Sequence, residues 1–178
     1  MSKKNIEVNK NAIEKFKQSL KELCPKAEIS VEPGGVKAGN FWLDIEHGEE
    51  MVTIEWRPNQ GFGIYAKDSE AFGDRPQEIF TDPQRAARRC AQLLAGDAFA
   101  QKPWLRQLRD LYEIPQEEMA RRMGVGQAAV SRFESRRGEI KLQMMMDAVA
   151  AMGGQVEIRV HFPDAEFPVM KSDSTRPC

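Results

Sequence analysis

The sequence predicts two modules of different class: an α+β N-terminal domain, built as a small antiparallel sheet with flanking helices, and an all-α domain followed by a short C-terminal strand. Three observations carry that prediction. Between residues 27 and 66, apolar and polar residues alternate in four short runs, the period of half-buried strands. From Trp104 to Met152 the apolar residues recur every three or four positions, the period of amphipathic helices. Charge divides the chain in the same way: residues 25–80 carry eleven acids against five bases, whereas residues 102–141 carry nine bases against six acids, a net of +3. The expected boundaries are an acidic sensor or partner-binding domain over 1–96, a linker over 97–102, a helical domain with its strand over 103–162, and a frayed polar tail over 163–178.

The first module opens with a helix predicted over 9–23. Ile13, Phe16, Leu20 and Leu23 are spaced three, four and three, and lysines cover the opposite, solvated face. Pro25 ends it. Strands follow over 27–31, 41–46, 51–56 and 61–66, separated by PGGVKAGN, HGEE and RPNQG, which have the Gly, Pro and Asn of tight turns. One face of these strands is apolar, so the sheet is antiparallel and covered on one side. Trp42, Trp56, Phe62, Tyr65 and Phe72 supply its aromatic content. Residues 68–81 read as a loop. Asp82 then caps a helix whose first residue is Pro83, whose inner stripe is Ala86, Ala87, Cys90, Leu93 and Leu94, and whose stop is Gly96. The order is α-β-β-β-β-α.

In the second module, Trp104, Leu105, Leu108 and Leu111 form the stripe of a first helix. A short second helix carries Met119, Ala120 and Met123 on one face. Gly124 ends it and Val125 is the apolar plug of the turn. On the third helix Val130 and Phe133, three apart, pack back on Met119 and Met123. Gln127, Ala128, Ser131 and Arg132 are thereby left on the outer face. Leu142, Met145, Met146, Val149 and Met152 mark a fourth helix that Gly153-Gly154 ends, and residues 155–162 alternate as a strand.

Gln116, Glu117, Glu118, Ala120, Gly124, Val125, Gln127, Val130, Ser131, Arg132 and Glu134 occur in the order and phase of a known pattern. With them, residues 104–162 resemble the phage-repressor-like helix-turn-helix family, the Xre or Cro/C1 type, and within it the antitoxin-like branch. The resemblance implies that the third helix enters the major groove of double-stranded DNA, with Gln127, Ala128, Ser131 and Arg132 at base edges. A glutamine amide suits adenine, a guanidinium suits guanine, and an alanine methyl touches thymine. Gln116, Ser135, Arg136, Arg137 and Lys141 are the expected phosphate contacts. Arg109 and Glu134 are expected as a structural ion pair tying the first helix to the third. The strand, or the helix before it, pairs two subunits in that branch; the alternative is a strand added to the chain's own sheet.

Composition narrows the function. With 41% hydrophobic and 30% charged residues, the chain reads as a globular protein, and no apolar run reaches the roughly 18 residues of a membrane span. The N-terminal residues lack the apolar segment of a secretory signal. Cys24, Cys90 and Cys178 are odd in number and widely spaced, which disfavours a disulfide framework or a zinc site and fits a reducing cytoplasm, with the protein at the nucleoid. His47 lies in a turn among Glu46, Glu49 and Glu50 and reads as exposed. Neither a nucleophile–base pair, a Gly-rich phosphate loop nor a metal cluster is evident, so no enzyme activity, cofactor or metal is expected. The leading expectation is a homodimeric repressor on a pseudo-palindromic operator. The alternative is an antitoxin whose N-terminal domain neutralises a protein partner while the C-terminal domain represses the shared operon. A small ligand is the other candidate for that N-terminal domain.

Overall fold

The computed structural model describes residues 3–34, 39–65, 75–135, 141–162 and 165–171. The chain divides into two compact units, Met1–Gln101 and Lys102–Cys178.

The first unit is two-layered. Helix α1 (Lys3–Leu23) leads into strands β1 (Glu28–Gly34), β2 (Asn40–His47), β3 (Glu50–Arg57), β4 (Gly61–Ile64) and β5 (Glu78–Phe80), then α2 (Pro83–Leu94) and a single turn, α3 (Asp97–Ala100). The strands form one antiparallel sheet in the order β1-β2-β3-β4-β5, each joined to the next in sequence. Alternation decides which face is covered. Leu43 and Ile45 of β2, Val52, Ile54 and Trp56 of β3, and Phe62 and Ile64 of β4 share a core with Ile13, Phe16 and Leu20 of α1 and Ala86, Ala87, Cys90 and Leu94 of α2. Phe16 stacks on Phe62 with ring centroids 5.0 Å apart. Each such large apolar side chain stabilises the unit by about 1.5–3 kcal/mol. Asp82 caps α2 as expected, its carboxylate accepting from the Arg85 N–H at 2.7 Å.

Several local expectations are corrected here. The sheet has five strands: β5 lies inside the stretch read as a loop, and its three residues are too few to show a period. Helix α1 begins at Lys3 rather than at residue 9. Within residues 97–102, α3 occupies Asp97–Ala100. Aromatic residues divide between faces. Trp56 and Phe62 lie in the core, while Trp42 and Tyr65 meet on the opposite face, centroids 5.5 Å apart. Phe72 falls outside the described residues.

The second unit contains α4 (Trp104–Tyr112), α5 (Gln116–Arg122), α6 (Gln127–Ser135) and α7 (Leu142–Ala151), followed by β6 (Glu157–Phe162) and β7 (Ala165–Lys171). Its core gathers Leu105, Ile114, Met119, Ala120, Val130, Phe133 and Ala148, with Trp104, Met123, Met144, Ala151 and Met152 packed around them. Trp104 meets Phe133 edge-on at 6.0 Å. The expected C-terminal strand is present as β6, and it pairs with β7 in an antiparallel two-stranded sheet. The residues read as a frayed tail therefore include a strand. Pro168 concealed it, because proline is excluded from central strands; a two-stranded sheet has only edges, where a missing N–H is tolerated.

Candidate DNA-binding site

The turn between α5 and α6 is set by backbone bonds. Gly124, at φ +65°, takes the left-handed conformation; its N–H bonds to the Arg121 carbonyl at 3.2 Å and that of Val125 to Ala120 at 3.0 Å. This is a Schellman closure, and it satisfies carbonyls that the helix end leaves unpaired. Val125, expected as the plug of the turn, is 43% exposed. Its contribution is the N–H, and the chain leaving the motif carries its side chain toward solvent.

Helix α6 is held from behind. Val130 and Phe133 are buried in the core, and Glu134 is 6% exposed. Glu134 accepts from Arg109 Nε at 2.5 Å and Nη2 at 3.2 Å, while Arg109 Nη1 donates to the Ile114 carbonyl at 2.5 Å. A fork-to-fork pair of this kind fixes direction as well as distance. It joins α4, the start of the α4–α5 connection, and α6.

The opposite face of α6 is free of the core. Gln127, Ala128, Ser131, Arg132 and Ser135 are all exposed. Arg132 Nε donates to the Ala128 carbonyl at 3.2 Å, and Ser135 Oγ donates to the Ser131 carbonyl at 2.8 Å. Both side chains thus lie along their own helix, with no acidic partner among the described residues. Lys141 is exposed immediately before α7. Arg136 and Arg137 lie outside the described residues.

Gln116 is placed differently from a simple phosphate contact. Its Nε2 donates to Glu134 Oε2 at 2.8 Å, so one amide hydrogen extends the buried pair and the other is left for a second acceptor. Among the other cations, Arg121 and Arg122 both bind Glu118, at 2.7 Å each. Hydrogen bonds from Arg121 and then Arg122 pull the Glu118 pKa down to about 2. The spacings of three and four residues that predict such pairs were legible in the sequence. Lys102 pairs with Asp110 at 3.4 Å. The acids in these pairs are already counted in the regional net charge of +3, so the pairing fixes where the charges sit without changing their sum.

Residues 105–157 match the model of the helix-turn-helix family. This part of the chain is a helix-turn-helix domain of the Xre type. No curated protein and no solved structure matches the chain. The helix-turn-helix domain is that of DNA-binding regulators, and α5 and α6 are its two defining helices. Among the described residues no helix is long and apolar enough to cross a membrane.

The first unit holds polar chemistry of another kind. Glu55 is 4% exposed although it points away from the apolar core. It accepts from Asn40 Nδ2 and from the Tyr65 hydroxyl, each at 2.9 Å, and pairs with Arg57 Nη2 at 2.6 Å. Burial pushes its pKa up, but the bonds from Arg57, Tyr65 and Asn40 outweigh that and hold it below the ordinary value. No motif announces this cluster, since its members come from β2, from β3 and from Tyr65 just after β4. The thiols read as inert: Cys24 is half-buried, and burial, followed by the neighbouring Cys24, pushes the Cys90 pKa up to about 12. His47 is half-buried at the end of β2.

Proposed function

We propose that the protein is a homodimeric transcriptional repressor of the cytoplasm, acting at the nucleoid on a pseudo-palindromic operator. One observation carries the reading: Gln127, Ala128, Ser131 and Arg132 form an exposed row on a helix whose other side is locked by Val130, Phe133 and the Arg109–Glu134 pair. Such a row can meet base edges without the helix having to reorganise. Gln127 and Arg132 supply direct readout, each worth about 1–3 kcal/mol of discrimination. Ser131 adds a hydroxyl and Ala128 a methyl. Ser135, Arg136, Arg137, Lys141 and the second amide hydrogen of Gln116 hold phosphates and set the register.

Helix α7 supports the dimer. The apolar stripe legible in its sequence is Leu142, Met145, Met146, Val149 and Met152; Met152, beyond the helix, packs on the unit's own core together with Met144, Ala148 and Ala151. The other four residues of the stripe are left partly or fully exposed. An amphipathic stripe at helical spacing that its own core does not use suits a second copy of the chain. The two-stranded sheet of β6 and β7, with open edges, supports the same reading. Two copies would hold their α6 helices about 34 Å apart, one turn of DNA.

The test is capture of genomic fragments by the intact protein, followed by sequencing and sedimentation of the free protein. A repeated inverted motif and a dimer mass are expected. A monomer that enriches no sequence would end the proposal.

A second reading, the antitoxin, is favoured by one feature of the first unit. On the uncovered face of the sheet, Glu28 stands directly across from Glu46, with Glu32 and Asp44 beside them. Like charges directly opposite destabilise a sheet, and a basic protein partner would relieve them. Co-purification of a basic protein encoded beside this chain, lost on Glu28→Lys/Glu46→Lys, is the expected result. Unchanged capture by the double variant would count against it.

A further inference from the structure

Strand β1 is an edge of the five-stranded sheet: among the described residues it is bonded to β2 on one side and to no strand on the other. We propose that this edge is a docking site for an extended segment of a protein partner, which adds as a sixth strand and carries lysine or arginine at alternate positions. The proposal rests on reading the first unit as the partner-binding half of the protein.

An edge strand leaves alternate N–H and carbonyl groups without a sheet partner, and an added strand can take them. Pro33 has no N–H, so the usable length of β1 is Glu28–Glu32. The opposite edge, β5, offers three residues.

Alternation separates two environments along β1. Ile29 and Val31 lean on the core but are only half-buried, so a neighbouring strand can cover more of both. Glu28, Ser30 and Glu32 are exposed on the other face, and Glu46, Asp44 and Trp42 stand across from them on β2. Neither strand carries a lysine or an arginine. On the core side the sign reverses. An open groove of about 680 Å³ runs between β1 and α1, where Lys15, Lys17 and Lys21 line it against one acid, Glu14. Glu14 is taken by Lys17 at 3.1 Å, and Lys21 Nζ donates to the neutral Ala27 carbonyl, so the groove keeps an excess of positive charge.

The two signs define the segment. Basic residues belong on its outer side, opposite Glu28 and Glu32. Between them, on the side of α1, belong an apolar residue over Ile29 and Val31 and acids that reach the lysines. A second copy of the chain does not meet this requirement. Antiparallel pairing of two β1 strands about Ser30 sets Glu28 against Glu32 twice and doubles the carboxylates on one face.

The test uses the intact protein and a blocked heptapeptide with lysine at its odd positions and glutamate, valine and glutamate between them. Binding is read from amide NMR shifts and from amide hydrogen exchange along β1. Saturable shifts over Glu28–Glu32 are expected, with exchange slowed at alternate residues. A peptide of the same composition with its lysines in one block should bind at least about tenfold more weakly, since it loses the alternation. The heptapeptide N-methylated over its central residues keeps its charges but loses strand donors, and should weaken by at least about tenfold as well. Glu28→Lys/Glu32→Lys should weaken the parent peptide by about tenfold or more, because both positions turn an opposite-charge pair into a like-charge pair. Absence of saturable binding to the unmutated protein, equal binding of the block or methylated peptide, or shifts without slowed exchange in β1 overturns the proposal even if the variant fails to fold. Slowed exchange in the peptide-free protein that grows with its concentration would place a second copy on the edge and also overturn it. Capture of a basic protein that leaves these amides unprotected keeps the antitoxin reading and overturns this one. Protection by the peptide, with no such protein captured, keeps the edge site and removes the antitoxin reading.

Discussion

Arg109 and Glu134 lie twenty-five positions apart and meet through two parallel hydrogen bonds in the interior of the helical domain, at 2.5 and 3.2 Å. Their side chains are 10% and 7% exposed. Removing one partner strands the other's charge, so Arg109→Ala or Glu134→Ala should each cost about 3–5 kcal/mol of stability. The double variant Arg109→Met/Glu134→Leu should recover most of that loss, because it buries no unpaired charge. Urea unfolding followed at amides of the helical domain measures all three. A double variant as unstable as the sum of the two singles would show that the pair does not act as a unit.

Two glycines separate backbone strain from steric contact. Gly124 has φ +65° and open space where a Cβ would stand. Gly61 has φ +92°, and its Cβ would run into the carbonyl of Phe80 on β5. Gly124→Ala should therefore cost about 1 kcal/mol, the left-handed penalty alone. Gly61→Ala should cost more than about 2 kcal/mol, since the backbone of β5 must also shift. Equal losses in urea unfolding would contradict the assigned contact.

Glu55 gives the first unit a dependence on acid. Its folded pKa lies below the ordinary value, so the folded state binds the proton more weakly than the unfolded chain. The stability it contributes is present above the unfolded value, about 4.3, and is lost as the pH falls below that toward the folded pKa. Glu55→Gln should lower stability at neutral pH and reduce the slope of stability against pH below about 4.5 in the first unit. An unchanged slope would show that the bonds from Asn40, Tyr65 and Arg57 do not favour the charged form.

Much of the architecture was legible because it is periodic. Ile13, Phe16 and Leu20, the alternation through β2 and β3, and the Asp82-Pro83 start all reach their expected places in the first unit. The helix-turn-helix was legible for a second reason: Gly124, Val130, Phe133 and Glu134 occupy positions whose spacing reflects a compact arrangement of two helices. What escaped was short or nonlocal. β5 has three residues, β7 carries Pro168, and the bond from Gln116 to Glu134 spans two helices. Helix α7 misled for a different reason. It is apolar on two faces, and the more regular stripe is not the one its own core covers.

The central claim is that the outward row of α6 reads DNA. The most direct measurement is the base preference of Arg132→Ala against the unmutated protein over a randomised operator, with Arg136→Ala as the control for phosphate contact. Arg132→Ala should relax preference at one position in each half-site by about 1–3 kcal/mol and leave the others intact. Arg136→Ala should weaken every sequence alike and lower the salt slope by about one. If Arg132→Ala weakens every sequence equally, the side chain does not face a base edge, and the proposed orientation of α6 in the groove is contradicted.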